Sequence, residues 1–302
     1  MANLWTPIFL PYGSLTNWYD STDTTTLTLS TNDTVANWRD KSYDANDLSE
    51  TNFAELPLYG TTNINGLSTI DFDGGDRINL DDITISSPVS STDLYIAYVG
   101  FNNTWTQTST LFNFTNGDGV INVDDSMLLR TGSRTSTQLL IKKGGAVTIN
   151  MALNPVENDN QTVMYTIDCT NSSNVTLKQN YTYEATGARN IANNPDAFTR
   201  LTFGAQDMDP EKNGLNGQTG EFVVVQQADM SLEDKQKLEG YMAWKWGLQD
   251  DLPDGETPQT THPYKDAPPT VTDVEFRNKL YETSTEEGSS RFRRLFALGY
   301  VG

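Results

Sequence analysis

Short runs of apolar and β-branched residues alternate with polar turn residues along most of the chain. Thr, Val, Ile and Tyr dominate the runs, while Asn, Gly, Asp and Ser separate them, which is typical of antiparallel β structure. The predicted strands are residues 67–72, 93–100, 110–114, 120–123, 138–141, 146–151, 162–168, 175–183, 200–204 and 221–227. Many short strands with turns between them predict an all-β sandwich or barrel.

One of these strands differs from the others because it has no polar face. Residues 94–99 read Leu-Tyr-Ile-Ala-Tyr-Val, so both sets of alternate positions are apolar. Alternate side chains of a strand point to opposite faces of a sheet. This strand is therefore predicted to be central and buried on both sides.

A single helix is predicted over residues 231–246. Ser231 supplies a capping hydroxyl before the acidic residues Glu233 and Asp234, and Gly247 ends the segment. Apolar residues recur at helical spacing: Leu238, Tyr241, Met242 and Trp246.

The end of the chain, residues 270–302, changes in character after a proline-rich stretch. It carries apolar and basic side chains but is too short to bury them by itself. It must therefore pack on the preceding domain or on another chain, and we expect it to dock on a partner. The expected docking residues are Phe276, Leu280, Arg291, Phe292, Arg294, Leu295 and Phe296.

Charge narrows the range of partners. The chain has 302 residues, with 20 Lys or Arg against 40 Asp or Glu, and a formal net charge of -20. Such a charge repels phosphate and anionic lipid, so binding to nucleic acid or to a membrane surface is not expected. Neutral, cationic or metal partners remain.

Cysteine usage and the first residues bear on the compartment. Cys169 is the single cysteine, so an intramolecular disulfide scaffold is excluded. Residues 1–7 contain neither a basic region nor an apolar run of signal-peptide length. We therefore expect synthesis in the cytoplasm without a signal peptide.

Several short motifs occur in a recognisable order. The first are Trp-Tyr-Asp-Ser-Thr-Asp at 18–23, Val-Ala-Asn-Trp-Arg-Asp-Lys-Ser at 35–42 and Asn-Gly-Leu at 65–67, followed by Ile-Asp-Phe-Asp-Gly at 70–74. The last are Gly-Glu-Phe-Val-Val-Val at 220–225, the apolar helix segment 238–248, and His-Pro-Tyr at 262–264 before Pro268 and Pro269. In this order they resemble the concanavalin A-like, laminin-G-like jelly-roll domains.

The resemblance implies two curved antiparallel sheets packed face to face over residues 14–269. Residues 1–13 would then form an N-terminal arm, and residues 270–302 a C-terminal docking tail. Domains of this family occur in carbohydrate-binding modules, bacterial surface proteins and bacteriophage virion proteins. Fold does not fix function, so the site needs its own argument.

The residues that carry the resemblance are expected to be structural. Large aromatics at packing positions belong to the core, and we expect this for Trp18, Trp38, Trp244 and Trp246. Carboxylates beside turns cap backbone N–H groups, and we expect this for Asp20, Asp40 and Asp73.

Glycoside hydrolysis is not expected. Family glucanases carry two carboxylates on one strand in a Glu-x-Asp-x-Glu or Glu-x-Asp-x-x-Glu pattern, and this chain has none. Glu221 is followed by apolar residues and has no second carboxylate on its face along the strand. One histidine, His262, and one cysteine do not readily supply a hydrolase triad or a zinc site. We therefore predict a protein without enzymatic activity.

The best local metal candidate is a degenerate calcium loop. Its ligands would be Asn116, Asp118 and Asp125, and the resemblance adds that such domains often hold calcium at a rim loop. The first ligand position is Phe114, so the pattern is incomplete. The competing interpretation is a hairpin in which Asn116 and Gly117 make the turn. No cofactor is expected to be required, and Ca²⁺ is the one candidate ion.

A loop at residues 102–107 is the candidate sugar contact. Trp105 offers a ring face for stacking, and Asn103 and Gln107 offer amides for sugar hydroxyls. A rim tryptophan that covers the sandwich is the structural alternative.

These observations favour a non-enzymatic bacteriophage virion protein. We expect a capsid decoration or surface protein, located on the virion surface, that displays a lectin-like jelly roll. The expected partners are other virion proteins of the capsid or tail, further copies of the chain, and a cell-surface glycan. A tail spike or receptor-binding carbohydrate-binding module is the alternative, and a glycoside hydrolase is a weaker one.

Overall fold

The structure is a computed structural model. It describes residues 3–85, 93–103, 108–116, 125–133, 136–154, 161–189, 197–206, 213–228, 230–255 and 260–285. All structural statements below refer to these residues.

The described residues form strands β1–β19 and two α-helices. The first strands are β1 (Asn3–Leu4), β2 (Leu15–Asp20), β3 (Leu27–Leu29), β4 (Val35–Trp38), β5 (Leu48–Ser49), β6 (Leu58–Ile64), β7 (Leu67–Asp73), β8 (Ile78–Ile85), β9 (Leu94–Asn102) and β10 (Ser109–Thr115). The others are β11 (Ser126–Ser133), β12 (Ser136–Lys143), β13 (Ala146–Leu153), β14 (Thr162–Asp168), β15 (Asn174–Gln179), β16 (Tyr183–Ala188), β17 (Phe198–Phe203), β18 (Asn216–Gln226) and β19 (Thr270–Val271). The helices are α1 (Leu232–Trp246) and α2 (Asp273–Thr285).

Two antiparallel sheets make up the sandwich, which confirms the predicted fold class. Among the described residues, the nine-stranded sheet has the order β13-β12-β11-β10-β17-β8-β5-β4-β3. The eight-stranded sheet has the order β16-β15-β14-β9-β18-β7-β6, and β2 also pairs with β18. The long strand β18 pairs with β7 through its first half and with β2 through its second.

The core between the sheets is rich in aromatic side chains. Phe222 of the eight-stranded sheet meets Phe112 and Phe203 of the nine-stranded sheet, each with ring centroids 4.9 Å apart. Trp38 is fully buried beside Tyr19, at 5.5 Å between centroids. Aromatic pairs at these separations add stabilisation beyond the burial of their area.

Strand β9 confirms the prediction of a central strand. It pairs with β14 on one side and β18 on the other. Ile96 and Tyr98 point into the core between the sheets, while Tyr95 and Val99 point to the opposite face and are also buried. Both faces are therefore enclosed, which explains why the strand has no polar face.

Helix α1 confirms the predicted helix and covers the outer face of the eight-stranded sheet. The Ser231 hydroxyl accepts a hydrogen bond from the Asp234 N–H at 3.1 Å, and Gly247 ends the helix with φ +77°. Trp18 is buried beneath it, and Trp246, the last residue of the helix, is buried against the sheet. Trp244 is half-buried, and its indole N–H donates to the Tyr264 carbonyl at 2.7 Å. The tryptophans thus pack as predicted, with Trp244 at the edge.

One predicted strand needs correction, and another lies outside the described residues. The predicted strand 175–183 is two strands, β15 and β16, because Asn180 and Tyr181 take positive φ angles and form a turn. The predicted strand 120–123 lies outside the described residues. The strand that pairs with β10 after this loop is β11.

The prediction of a single helix also needs correction, because the tail contains α2. Thr272 and Glu275 form a capping box at its start: the Glu275 N–H donates to the Thr272 hydroxyl at 3.2 Å, and the Thr272 N–H donates to Oε2 of Glu275 at 2.7 Å. The apolar residues of α2 recur only weakly at helical spacing, so sequence periodicity did not predict this helix. No described helix is both long and apolar enough to cross a membrane.

The arm and the tail pack on each other and on the same side of the sandwich. Strand β1 pairs with β19. Phe276 packs on Phe9 with ring centroids 6.2 Å apart, and the buried Lys279 ammonium donates to the Leu10 carbonyl at 2.9 Å. Phe276 therefore packs on its own chain, which is one of the two possibilities that the sequence left open for the tail. We call residues 3–13, α1 and residues 270–285 the helix layer.

Candidate functional site

The predicted sugar loop is described only at its start. The Asn103 N–H donates to the Asn216 carbonyl at 3.0 Å, and the Asn103 amide donates to Oδ1 of Asn216 at 3.3 Å. These bonds hold Asn103 at the rim where β9 and β18 end. Trp105 and Gln107 lie outside the described residues, so their role stays a prediction.

Two of the three predicted calcium ligands meet at the end of the β10–β11 hairpin. The Asp125 N–H donates to Oδ1 of Asn116 at 2.9 Å. The buried Asp125 carboxylate accepts from the Lys143 ammonium at 2.9 Å and from the Gly144 N–H at 2.6 Å. Asp125 thus ties β11 to the β12–β13 turn. The hairpin with its turn at Asn116 and Gly117 stays a prediction, because Gly117 lies outside the described residues.

The third predicted ligand, Asp118, lies outside the described residues. Within the described ranges, no three His, Cys, Asp or Glu side chains are grouped so that they could hold a metal ion. The calcium site remains a prediction for the loop. The predicted docking residues Arg291, Phe292, Arg294, Leu295 and Phe296 also lie outside the described residues, as does the side chain of Leu280.

The outer face of the nine-stranded sheet carries polar side chains in regular rows. Because Phe112 and Phe114 of β10 point into the core, Asn113 and Thr115 point away from it. Cross-strand pairing aligns one row as Asn79, Thr202, Asn113, Leu128, Leu140 and Asn150. It aligns a second row as Asp81, Arg200, Thr115, Ser126 and Lys142. We call these two rows, with Thr110 beside them, the polar face.

Most of the small side chains at the centre of the polar face are nearly out of contact with solvent. Asn113 and Thr115 are each 1% exposed, and Ser126 is 0% exposed. Around them, Arg200 and Lys142 are half-buried, and Asp81 and Asn150 are exposed. The face thus combines an enclosed polar centre with an accessible charged and amide rim.

Several of these enclosed polar atoms have no hydrogen-bond partner in the structure. They are Oδ1 of Asn79, Oγ1 of Thr110, Oδ1 of Asn113, Oγ1 of Thr115, Oγ of Ser126 and Nη1 of Arg200. A buried polar atom left without a partner costs about 1–3 kcal/mol, and such atoms are rare in folded proteins. Such atoms also occur on the eight-stranded sheet, for example Oε1 of Gln218 and the Tyr181 hydroxyl, and all of them are out of contact with solvent.

The outer face of the eight-stranded sheet provides the opposite case. Glu221 is fully buried under α1. Its Oε1 accepts from the Trp18 indole at 2.7 Å and the Tyr241 hydroxyl at 2.8 Å. Its Oε2 accepts from the Trp246 indole at 2.8 Å and lies 2.9 Å from the Lys245 ammonium. Four donors therefore satisfy one buried carboxylate.

A second carboxylate lies beside Glu221, and local sequence spacing could not reveal it. Asp20 of β2 pairs directly with Glu221 of β18. Lys245 lies 2.7 Å from Asp20, and Lys41 lies 2.9 Å from it. Burial by itself would raise the pKa of the Asp20 carboxyl, but the ammonium groups of Lys245 and Lys41 outweigh it and hold that pKa well below its ordinary value.

The predicted turn caps are confirmed. Asp40 accepts backbone N–H groups from Trp18, Ser42 and Asn46 at 2.7, 2.8 and 2.9 Å. Asp73 accepts the Gly75 N–H at 2.8 Å, and the Thr22 N–H donates to Asp20 at 3.1 Å. These carboxylates fix the path of the turns.

His262 is buried within the packed edge of the helix layer. Its Nδ1 accepts the Tyr264 N–H at 3.3 Å, and its Nε2 lies 3.4 Å from Glu239. Glu239 also accepts from the Tyr95 hydroxyl at 2.7 Å. The histidine thus serves to anchor the proline-rich segment on α1.

The helix layer contains a concave feature of about 300 Å³. Its lining comes from the arm, α1 and α2, and includes Trp5, Phe9, Tyr12, Asp234, Lys237 and Asn278. Lys279 and Phe276 contact the arm at this place, so the arm and the tail together form walls of the cavity.

Comparisons with known proteins bear on the fold. No family model matches the chain, and no characterised protein sequence matches it significantly. Similar solved structures include the binding domain of Paraclostridial Mosquitocidal Protein 1, with a TM-score of 0.53, 14% identity, and coverage of 76% of this chain and 52% of that one. The receptor binding domain of botulinum neurotoxin D has a TM-score of 0.52, 11% identity, and coverage of 76% and 53%. The chain spans about half the length of these structures, and the likeness is one of fold.

Sequence reasoning missed the polar face, although a signal was present. The order Phe112-Asn113-Phe114-Thr115 alternates strictly, as does Arg200-Leu201-Thr202-Phe203. Alternation predicts one polar face for each strand. It could not predict that these strands are neighbours, since 85 positions separate Thr115 from its partner Arg200 and the fold sets their pairing.

Proposed function

We propose that this chain is a non-enzymatic, lectin-like β-sandwich module that binds glycan on the polar face and displays it from the surface of a bacteriophage virion. The observation that carries the glycan-binding part is the accessible charged and amide rim of the polar face, formed by Asp81, Arg200, Lys142 and Asn150. The virion part rests on the family resemblance and on the placement of the tail.

Glycan binding fits the chemistry of the polar face. The rim offers the Asn150 amide, which donates and accepts, the Asp81 carboxylate, which accepts, and the Arg200 and Lys142 cations, which donate. Sugar hydroxyls can supply both complements. Neighbouring strands lie about 4.8 Å apart, so the row from Asp81 to Lys142 spans about 19 Å. A chain of sugars could contact several of these rim groups together.

The comparisons support a binding role. The similar solved structures are described as a binding domain and a receptor binding domain. Because identity is low, the likeness supports the fold as a suitable platform for recognition, and the polar face supplies the argument about this chain.

The two sides of the sandwich suit display. The polar face is the outer face of the nine-stranded sheet, whereas the helix layer covers the outer face of the eight-stranded sheet. Helix α2 leads into residues 286–302, which carry the basic and apolar docking residues. Attachment through the tail would therefore leave the polar face directed away from the neighbouring virion protein. Val274 of α2 is 66% exposed and would add to the attachment surface.

The absence of enzymatic activity is supported by the state of the paired carboxylates. Asp20 and Glu221 are buried beneath α1, and Lys41 and Lys245 neutralise them. A retaining glycosidase needs one carboxyl group protonated and one accessible to the sugar. This pair is enclosed and held by ion pairs, so its role is structural.

A glycan array with parent protein and matched variants tests the proposal. Parent protein should bind a subset of glycans, and Arg200→Gln combined with Asn150→Ala should lose that binding. Thr176→Val, a half-buried change on β15 of the other sheet, should bind as the parent does. An array without any binding, or equal binding by the double variant at an unchanged melting temperature, would overturn glycan binding on this face. Cleavage of a bound glycan would overturn the non-enzymatic part.

The location is tested on the native particle. Antibody labelling in the electron microscope should place the chain on the capsid surface, with its polar face accessible. Labelling of the tail would favour the alternative of a tail spike or receptor-binding module, and absence from particles would overturn the virion assignment.

A further inference from the structure

The cavity in the helix layer is a place where a small molecule from solution can reach the chain. Its volume is about 300 Å³, and Tyr12, Glu275 and Asn278 of its lining are exposed to solvent. Small-molecule sites in proteins begin at roughly 300 Å³. The cavity therefore has room for a ligand the size of a monosaccharide.

Aromatic side chains form part of the cavity wall. Tyr12 is 53% exposed, and the Tyr43 ring meets it edge-on at 4.7 Å between centroids. Trp5 is buried in the wall, where it meets Tyr241 at 6.1 Å. These contacts orient the rings before a ligand arrives. An oriented and accessible ring such as that of Tyr12 suits the flat C–H face of a sugar.

The charged side chains of the wall balance one another. Asp234 and Glu275 supply two carboxylates, and Lys237 and Lys279 supply two ammonium groups. A cavity with an excess of one sign would favour a ligand of the opposite charge. The balance of charges therefore favours a neutral polar ligand, which agrees with the partner classes expected from the net charge.

The two carboxylates are held in place by their own helix caps and keep further capacity to accept hydrogen bonds. The Ser231 hydroxyl donates to Oδ2 of Asp234 at 2.8 Å, and the Thr272 hydroxyl donates to Oε2 of Glu275 at 2.8 Å. Each carboxylate has a second oxygen, and the exposed Asn278 amide both donates and accepts. Hydroxyls bound to an ionised group form stronger hydrogen bonds than hydroxyls bound to a neutral one.

We propose that the cavity in the helix layer is a second binding site, which takes the ring of a neutral sugar. Tyr12 stacks on the C–H face of the ring, while Asp234, Glu275 and Asn278 bind its hydroxyls. The helix layer covers the outer face of the eight-stranded sheet, on the opposite side from the polar face. The inference thus goes beyond the proposed function and does not depend on it.

Two-dimensional NMR of the isotope-labelled full chain tests this inference, with the indole N–H of Trp5 as the reporter. The probes are glucose, galactose, mannose and N-acetylglucosamine, each titrated to about 100 mM. At least one should shift the Trp5 signal saturably, with a millimolar dissociation constant, as expected for a ligand of about 12 non-hydrogen atoms. The Trp38 indole lies in the core between the sheets and should not move.

Matched variants separate recognition from a general effect of removing a surface ring. Tyr12→Ala should weaken binding about fivefold, because the stacking contact is lost. Asn278→Ala, an exposed change on α2, should also weaken binding. Phe53→Ala is the control, since Phe53 is 54% exposed and does not line the cavity, and it should bind as the parent does. Melting temperatures check that these variants fold.

Three results would overturn the inference. The first is the absence of a saturable Trp5 shift with every probe, and the second is equal affinity in the parent and Tyr12→Ala. The third concerns charge: glucuronate or glucosamine would bind more tightly than all of the neutral probes.

The same titration distinguishes this inference from the proposed function. Arg200→Gln combined with Asn150→Ala changes the polar face and should keep the Trp5 shift. Loss of the shift in that double variant would assign binding to the polar face, which would overturn this inference and support the proposed function. A Trp5 shift without any binding on the glycan array would support this inference and overturn glycan binding on the polar face.

Discussion

The outer faces of the two sheets treat buried polar groups in opposite ways. Under the helix layer, Glu221 is surrounded by donors from Trp18, Tyr241, Trp246 and Lys245. On the polar face, enclosed atoms have no partners. Both sets of groups are removed from water, but only the first has its hydrogen bonds completed within the chain.

This difference has a consequence for stability. A buried carboxylate with four donors fixes the position of α1 on the sheet, since no other placement would satisfy it. Enclosed polar atoms without partners cost stability and fix no neighbouring element in this way.

The largest expected effect comes from Glu221→Gln. This change removes the buried negative charge and turns part of its acceptor group into a donor that faces Trp18 or Trp246. We expect a loss of about 3 kcal/mol in the free energy of unfolding, measured by urea denaturation. Glu184→Gln, in an exposed ion pair with Lys178, should change stability by less than about 0.5 kcal/mol. A loss below about 1 kcal/mol for Glu221→Gln would contradict the structural role.

An intermediate effect is expected from removing one hydroxyl on each face. Tyr241→Phe removes a donor to Glu221 and should cost about 1 kcal/mol. Thr115→Val removes a hydroxyl without a partner at nearly constant volume, and should leave stability unchanged or increase it. Urea denaturation of both variants gives the comparison. Equal losses would show that the two faces do not differ in this way.

The smallest expected effect is a change of stability with pH. It arises at the buried carboxyl group of Asp76, whose pKa is not shifted by any lysine. Burial and the neighbouring Asp73 carboxylate raise the pKa of Asp76, just before β8, to about 7. A raised pKa means that the folded state binds the proton more tightly, so the contribution is present at pH 4 and is lost as pH rises through 7. The melting temperature of the parent should therefore fall between pH 5 and 8, and that of Asp76→Asn should fall less. Identical slopes would contradict the assignment.

Asp20 has the opposite linkage, because Lys245 and Lys41 hold its pKa below the ordinary value. Its contribution is present above pH 4 and is lost as pH falls. The two buried carboxyl groups thus show how a lysine partner, or its absence, determines the direction of the pH dependence.

Local patterns predicted several elements closely. Strand β14 has the predicted bounds, and α1 begins and ends beside the predicted residues Ser231 and Gly247. In each case, the signal lies within the segment: apolar runs of the right length, a capping hydroxyl, and a glycine with positive φ. The turn caps Asp40 and Asp73 were predictable for the same reason, since a side chain that caps a turn is near it in sequence.

The candidate site was less predictable. From the sequence, we predicted sites in the loop with Asn103 and in the loop with Asp118, because these loops contain residue types that are typical of binding sites. The polar face has ordinary residues, such as Thr115 and Ser126, whose importance comes from their burial and their neighbours. Burial is a property of the packed chain and cannot be assigned from residue type.

The sequence by itself determined the all-β class, the doubly buried strand β9, the helix α1 and the exclusion of a disulfide scaffold. Periodicity, capping and composition are local or additive, so they can be obtained without knowledge of contacts. Only the tertiary structure decided that Asp20 would oppose Glu221, that the tail would pair with the arm, and that Arg200 would stand beside Thr115. These pairings join residues far apart in the chain, and strand order and register, set by the packing of the whole core, determine them.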